Sequence, residues 1–188
     1  MYARLVKNPN LPEAYYTKLV KHDNIACRQL LAEEVITPSA LLDLLASDTA
    51  EEVRTLVAGN TSTTQATLNE LAESSEVGVR VAVAKNGSTG SAILDLLAND
   101  EELTVKCAVA SNPNCSMAVL ALLSKDQELK VRKAVASNPQ LNIGLIKHLL
   151  SEGIEELTAK VLENNLGKSL AIDYMAFYRL PMLDYIGK

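Results

Sequence analysis

The chain lacks tryptophan altogether and has one phenylalanine and six tyrosines in 188 residues. A core so poor in aromatics has to be filled by closely packed Leu, Val, Ile and Ala, which favours helices over a β-sandwich built from β-branched and aromatic strands. Basic residues are also short, 18 Lys and Arg against 23 Asp and Glu, for a formal net charge of -5. Neutralising phosphates takes a surplus of cations, so general nucleic-acid binding is disfavoured, while a local basic strip stays compatible with the balance. The three cysteines, Cys27, Cys107 and Cys115, form no Cys-x-x-Cys pair and are odd in number. With no secretory leader, they read as reduced, partly buried thiols of a cytoplasmic protein. No stretch approaches the roughly 18 consecutive apolar residues of a membrane span. What is present is a folded composition, 48% hydrophobic and 22% charged, that argues against disorder over most of the length.

The order of the residues is periodic. Asn stands at 8, 60, 86, 112, 138 and 164, every interval a multiple of 26, and Glu34 fills the one missing place. Other columns keep this register. Six residues before the Asn column stand Arg28, Arg54, Arg80, Lys106 and Arg132, each preceded by Cys27, Val53, Val79, Val105 or Val131. Three before it come Leu5, Leu31, Val57, Val83, Val109, Val135 and Val161. Eleven after it come Leu19, Leu45, Leu71, Leu97, Leu123, Leu149 and Met175. The chain is therefore expected to be all-α, an α-solenoid of about seven 26-residue helix-turn-helix repeats.

Each unit reads as two short helices. The first places apolar residues at i and i+4, as in Val131 and Val135, with small Ala134 and Ala136 where backbones approach. It ends at the Asn column, because proline disfavours helical geometry in the residue before it and Asn accepts a left-handed or turn conformation. Gly87 makes the same break after Asn86. The second helix is expected to open on Thr37, Thr63 and Thr89 as caps, with Pro38 at a first helical position, and to bury Leu41, Leu42, Leu44 and Leu45, or Ile93, Leu94, Leu96 and Leu97. A unit this small cannot cover its own apolar face, so it must stack on its neighbours.

The pattern Val-Arg-x-x-Val-Ala-x-Asn-Pro, followed by a Leu-Leu-x-x-Leu helix and an Asp before the next unit, resembles the leucine-rich repeat variant family of α-helical superhelices. The resemblance covers roughly residues 2–165 and is densest from Val53 to Pro139. It implies an open right-handed superhelix whose first helices are partly 3₁₀. Some members of that family add a cysteine-rich iron-sulfur segment. This chain has no such cluster, so no redox role and no cofactor carry over. HEAT and armadillo repeats look similar but are longer.

All seven aromatics lie near the ends: Tyr2, Tyr15 and Tyr16, then Tyr174, Phe177, Tyr178 and Tyr185. The repeat register is lost after residue 165. The expected division is thus a repeat array over 1–165 and a C-terminal capping helix and tail over 166–188, with oligomerisation through the aromatic ends as the alternative.

Two columns are candidates for binding. Stacking would line up Arg28, Arg54, Arg80, Lys106 and Arg132 at ~10 Å intervals, a rail for an acidic peptide or a phosphate chain. Against this, Asp48, Asp100 and Asp126 each lie six residues before a cation and could pair with it or with its stacked neighbour. His22 and Ser74 replace Asp ahead of Arg28 and Arg80, so those two cations are the ones expected to be free. Asn60, Asn86, Asn112 and Asn138 could grip the main chain of an extended peptide if exposed, or satisfy backbone groups from layer to layer if buried. The structural reading is favoured for both columns. Glutamates 51, 52, 76, 101, 102, 128, 155 and 156 fall where helix N-termini favour negative charge.

No catalytic set can be assembled. His22 and His148 fall in different repeat columns, Cys107 and Cys115 are not at zinc-ligand spacing, and no Gly-rich phosphate loop is present. The expectation is a non-enzymatic scaffold that binds a protein or peptide partner, without metal or cofactor. The alternative is polyanion or nucleic-acid binding through the cation column.

Overall fold

A computed structural model describes residues 12–165, and among these every regular element is an α-helix. The chain divides into two compact units, Met1–Leu97 and Ala98–Lys188. In the first unit the described helices are α1 (Glu13–Val20), α2 (Ile25–Glu33), α3 (Ser39–Leu45), α4 (Glu51–Gly59), α5 (Gln65–Ala72), α6 (Val77–Lys85) and α7 (Ser91–Leu97). The second holds α8 (Leu103–Ser111), α9 (Met117–Leu123), α10 (Leu129–Ala136), α11 (Ile143–Ser151) and α12 (Glu155–Asn165). The boundary expected at residue 165, the columns at Leu5, Asn8 and Met175, and all the aromatics except Tyr15 and Tyr16 lie outside or at the limit of the described residues.

Within the first unit α2, α4 and α6 pack side by side, and within the second α8, α10 and α12 do the same. The columns read from the sequence are the reason. Leu31, Val57, Val83, Val109, Val135 and Val161 are all fully buried, as are Val53, Val79, Val105 and Val131. Beside them Ala32, Ala58, Ala84, Ala110 and Ala136 are also sealed from solvent, and their small side chains let neighbouring first helices come close. Leu45, Leu71, Leu97, Leu123 and Leu149 bury the second helices against the same seam. Each such Val or Leu contributes about 1.5–3 kcal/mol by leaving water, which is how helices of only about two to three turns persist.

Three local expectations are corrected. Leu44 and Leu96 are exposed, at 58% and 50%, whereas Leu41, Leu42 and Leu45 are buried. At about 100° per residue, those three span one face of α3, and Leu44 falls about 60° beyond its edge. The threonines at 37, 63 and 89 do not cap the second helices. They are buried and donate their hydroxyls back to the carbonyl oxygens of Leu31, Val57 and Val83 at 2.6–2.7 Å, closing the end of the preceding first helix. The N-caps lie one residue later. Thr64, Ser116 and Asn142 accept from Thr67, Val119 and Leu145 N–H, and Pro38 takes the N-cap place before Ser39.

The Asn column does end first helices, but in extended rather than left-handed geometry: Asn60, Asn86 and Asn112 have φ of -75°, -65° and -73° with ψ of 125°, 123° and 131°. Glu34 has nearly the same backbone, φ -77° and ψ 123°. Asn164 departs from the column, because α12 continues through it and its amide donates to Lys160 O within the helix. The first helices are α-helical, with no 3₁₀ segment among the described residues.

Candidate functional site

The Asn side chains are buried clamps. Asn60 Nδ2 donates to Ala32 O at 2.8 Å and Glu34 O at 3.1 Å, while its Oδ1 accepts from Ser62 N at 2.9 Å. Asn86 repeats this on Ala58 O and Asn60 O at 2.8 and 2.9 Å, with Ser88 N on its Oδ1 at 2.8 Å. Asn138 does the same on Ala110 O, Asn112 O and Gln140 N. Asn112, equally buried, accepts from Asn114 N at 2.8 Å. For Asn60, Asn86 and Asn138 both amide hydrogens are used on the previous copy: one goes to the carbonyl of the alanine in the last turn of its first helix, the other to the C-cap carbonyl, which also accepts the backbone N–H three residues further on. These asparagines are therefore not surface groups that reach a peptide. The sequence reading missed a parallel set: Ser62 Oγ donates to Val35 O and Ser88 Oγ to Thr61 O. The serines recur two residues after the Asn column, which was the available signal.

The cation column is bonded into the loops. Arg28 lays Nε and Nη2 on the Asp48 carboxylate at 2.6 and 3.1 Å and donates Nη1 to His22 O at 2.7 Å. Arg54 lies 3.0 Å from Glu76 and donates Nη1 to Asp48 O. Lys106 meets Asp126 at 2.7 Å. Arg132 Nε sits 2.9 Å from Glu152, off the hydrogen-bond axis, so that contact is ionic, and its Nη1 donates to Asp126 O at 2.6 Å. Arg80 Nη1 donates to Ser74 O and Ser75 O at 2.8 and 3.1 Å. The arginine thus uses the carbonyl, not the side chain, of the residue six before it, and each paired carboxylate comes from the next copy's loop. This overturns the expectation that Arg28 and Arg80 lie free: His22 and Ser74 supply the same backbone oxygen that Asp48 or Asp126 does.

The carboxylates respond accordingly. Burial pushes Asp48 and Asp126 up, but the hydrogen bonds from Arg28 and Lys106, and from the backbone N–H of Ala50 and Glu128, outweigh it and leave both below the ordinary range. Glu76 is brought down to about 2, first by the Ser74 hydroxyl and its own backbone N–H, with the charge of Arg54 adding to them. The Cys107 thiol is pushed up, first by burial and then by the charge of Asp126, which disfavours the nucleophilic thiolate. Among the described residues no group of three or more His, Cys, Asp or Glu is placed to hold a metal ion.

The second helices leave side chains outward. Leu44 and Leu96 in the first unit and Leu122 in the second share one repeat column and are 50–58% exposed. Glu70 occupies this column in α5 and His148 in α11. Beside them, in the same register, lie open grooves between successive loops. One of about 520 Å³ is lined by Leu44, His22, Arg28 and Asp48. In the second unit, one of about 680 Å³ is lined by Leu103, Leu122, Glu101 and Glu128, and one of about 380 Å³ by His148, Arg132 and Glu152.

Paired short helices repeating every 26 residues, clamped by a buried Asn, define a tandem α-helical repeat protein of the solenoid class. The particular fold is that of a leucine-rich repeat variant. The chain is similar to a solved structure described as a leucine-rich repeat variant with a novel repetitive protein structural motif, with a TM-score of 0.62 and 23% identity over 86% of this chain and 70% of the other. No protein-family model matches the chain, and no curated protein matches it in sequence. No helix among the described residues is long and apolar enough to cross a membrane.

Proposed function

We propose that the chain is a non-enzymatic scaffold that binds another protein through the outward face of its second helices. The observation that carries this reading is the division of labour within the repeat. The asparagines and the cations are spent on joining one copy to the next, whereas Leu44, Leu96 and Leu122 recur in register with half or more of each side chain exposed. Large apolar side chains held outward on a rigid helix are the residues that an interface covers. The polyanion alternative is less well supported, since Arg28, Arg54, Lys106 and Arg132 already face carboxylates at 2.6–3.0 Å.

The test is recovery of partners from source cells on the tagged full chain, with a Leu44→Glu, Leu122→Glu double variant alongside. A protein recovered near one-to-one with the unmodified chain and lost with the variant is the expected outcome. Equal recovery from both, or no protein near that ratio, refutes the proposal. Salt-sensitive binding of DNA or RNA at low ionic strength would favour the alternative.

A further inference from the structure

The outward face of the first unit has a charge pattern that selects its partner. From α3 to α7 the second helices carry Asp43, Glu70 and Asp95, with Glu73 just after α5, and α3, α5 and α7 contain no Lys, Arg or His. All four acids are exposed, as are Leu44 and Leu96 and the small residues Ala40, Ala66 and Ala92. Ser-Ala-Leu-Leu-Asp-Leu-Leu in α3 and Ser-Ala-Ile-Leu-Asp-Leu-Leu in α7 repeat the outward Ala, Asp and Leu as faithfully as the buried positions.

The face is also held in register. Thr64 and Thr67 of the second repeat pair donate their hydroxyls to Asp43. Gln65 brackets the start of α7, donating to Ser88 O and accepting from Gly90 N at 2.8 Å. A Cβ at position 90 would lie 2.7 Å from Gln65 Oε1, so glycine is what allows this approach. A partner therefore meets a surface ordered in advance, which lowers the entropy cost of docking.

Resting on the scaffold reading, we propose that this face of the first unit takes a basic amphipathic helix of a partner protein. An apolar side chain towards each of its ends covers Leu44 and Leu96, a Lys or Arg between them meets Glu70, which stands between the two leucines in the same column, its backbone approaches over the alanine row, and further cations meet Glu73 and Asp95. Charge complementarity fixes the class of occupant. A nucleic acid is repelled by a face with no cation, and a second copy of the same face would set carboxylate against carboxylate.

The probe is a fluorescein-labelled amphipathic peptide of Leu and Lys, about two heptads long, titrated with the full chain and followed by anisotropy. Saturable one-to-one binding that weakens between about 50 and 300 mM salt is expected. Leu44→Ser with Leu96→Ser, and separately Glu70→Gln with Glu73→Gln, should each weaken it about tenfold or more. Glu155→Gln with Glu156→Gln removes the same charge from the second unit and should change it by less than about twofold. Absence of saturable binding, an equal loss in that control, or equally tight binding of a peptide with Lys and no Leu overturns the proposal. Circular dichroism melts confirm that each variant is folded. A cellular partner lost with Leu44→Glu, Leu122→Glu but indifferent to Glu70→Gln, Glu73→Gln would leave the scaffold reading standing and remove this one.

Discussion

Replacing Asn86 by Asp keeps the shape of the side chain and removes both amide hydrogens. Ala58 O and Asn60 O, which accept them at 2.8 and 2.9 Å, then face a carboxylate in a site only 3% exposed. Ala substitution instead deletes three hydrogen bonds, the third being Ser88 N to Oδ1 at 2.8 Å, without adding charge. At about 1–1.5 kcal/mol per bond the Ala variant loses about 3–4 kcal/mol. The Asp variant retains one bond but must bury an unpaired charge or take up a proton, which brings its loss to about 4–5 kcal/mol. Against a total of about 5–15 kcal/mol for a typical domain, either loss is a large fraction of the stability. Repeat arrays can unfold in part, so urea denaturation followed by circular dichroism should be paired with hydrogen exchange to localise the loss to the helices around Asn86. An Ala variant within about 1 kcal/mol of the parent, or an Asp variant milder than Ala, would refute the clamp.

Thr63→Val should cost about 1–1.5 kcal/mol in the same urea assay, because Val57 O loses the hydroxyl at 2.6 Å but keeps Asn60 N at 3.1 Å. Thr63→Ser should cost well under half of that, and equal losses would contradict the assigned bond. Acid should weaken the fold in a defined direction. The folded carboxyls of Asp48, Glu76 and Asp126 sit below the ordinary range, so the unfolded chain takes up protons first as pH falls. Their contribution is complete above about pH 5 and is lost on acidification through the folded values. The urea midpoint should fall from about pH 5 towards pH 3, and Asp48→Asn with Asp126→Asn should flatten that fall. A parent midpoint independent of pH over this range would contradict the pairing.

Much of the fold was legible because burial at Leu31, Val57 or Val135 is set by position in the copy, and periodicity reports position directly. The stop at the Asn column was legible for the same reason. Partners were harder, since a spacing of six residues along the chain and a spacing of one copy through space are both compatible with a row of Asp and Arg. The sequence favoured a vacancy wherever Asp was missing. The structure shows that the local contact is to a backbone oxygen, which any residue type provides, so His22 and Ser74 carry no such signal. The threonine caps failed by one residue: Thr63 and Thr64 are adjacent and equally able to cap, and Thr37 and Thr89 were assigned by their shared place in the copy. Leu44 was misplaced by treating every Leu of a short helix as core. That error is also what hid the outward column on which the functional reading now rests.

Zero-length carbodiimide cross-linking of the unmodified chain, read by mass spectrometry, tests most directly whether each copy bonds to the next. Lys106 and Asp126 at 2.7 Å, and Lys133 and Glu156 at 3.0 Å, should be joined. Cross-linking of Lys106 to Asp100, six residues back in its own copy, in place of Asp126 would contradict the account.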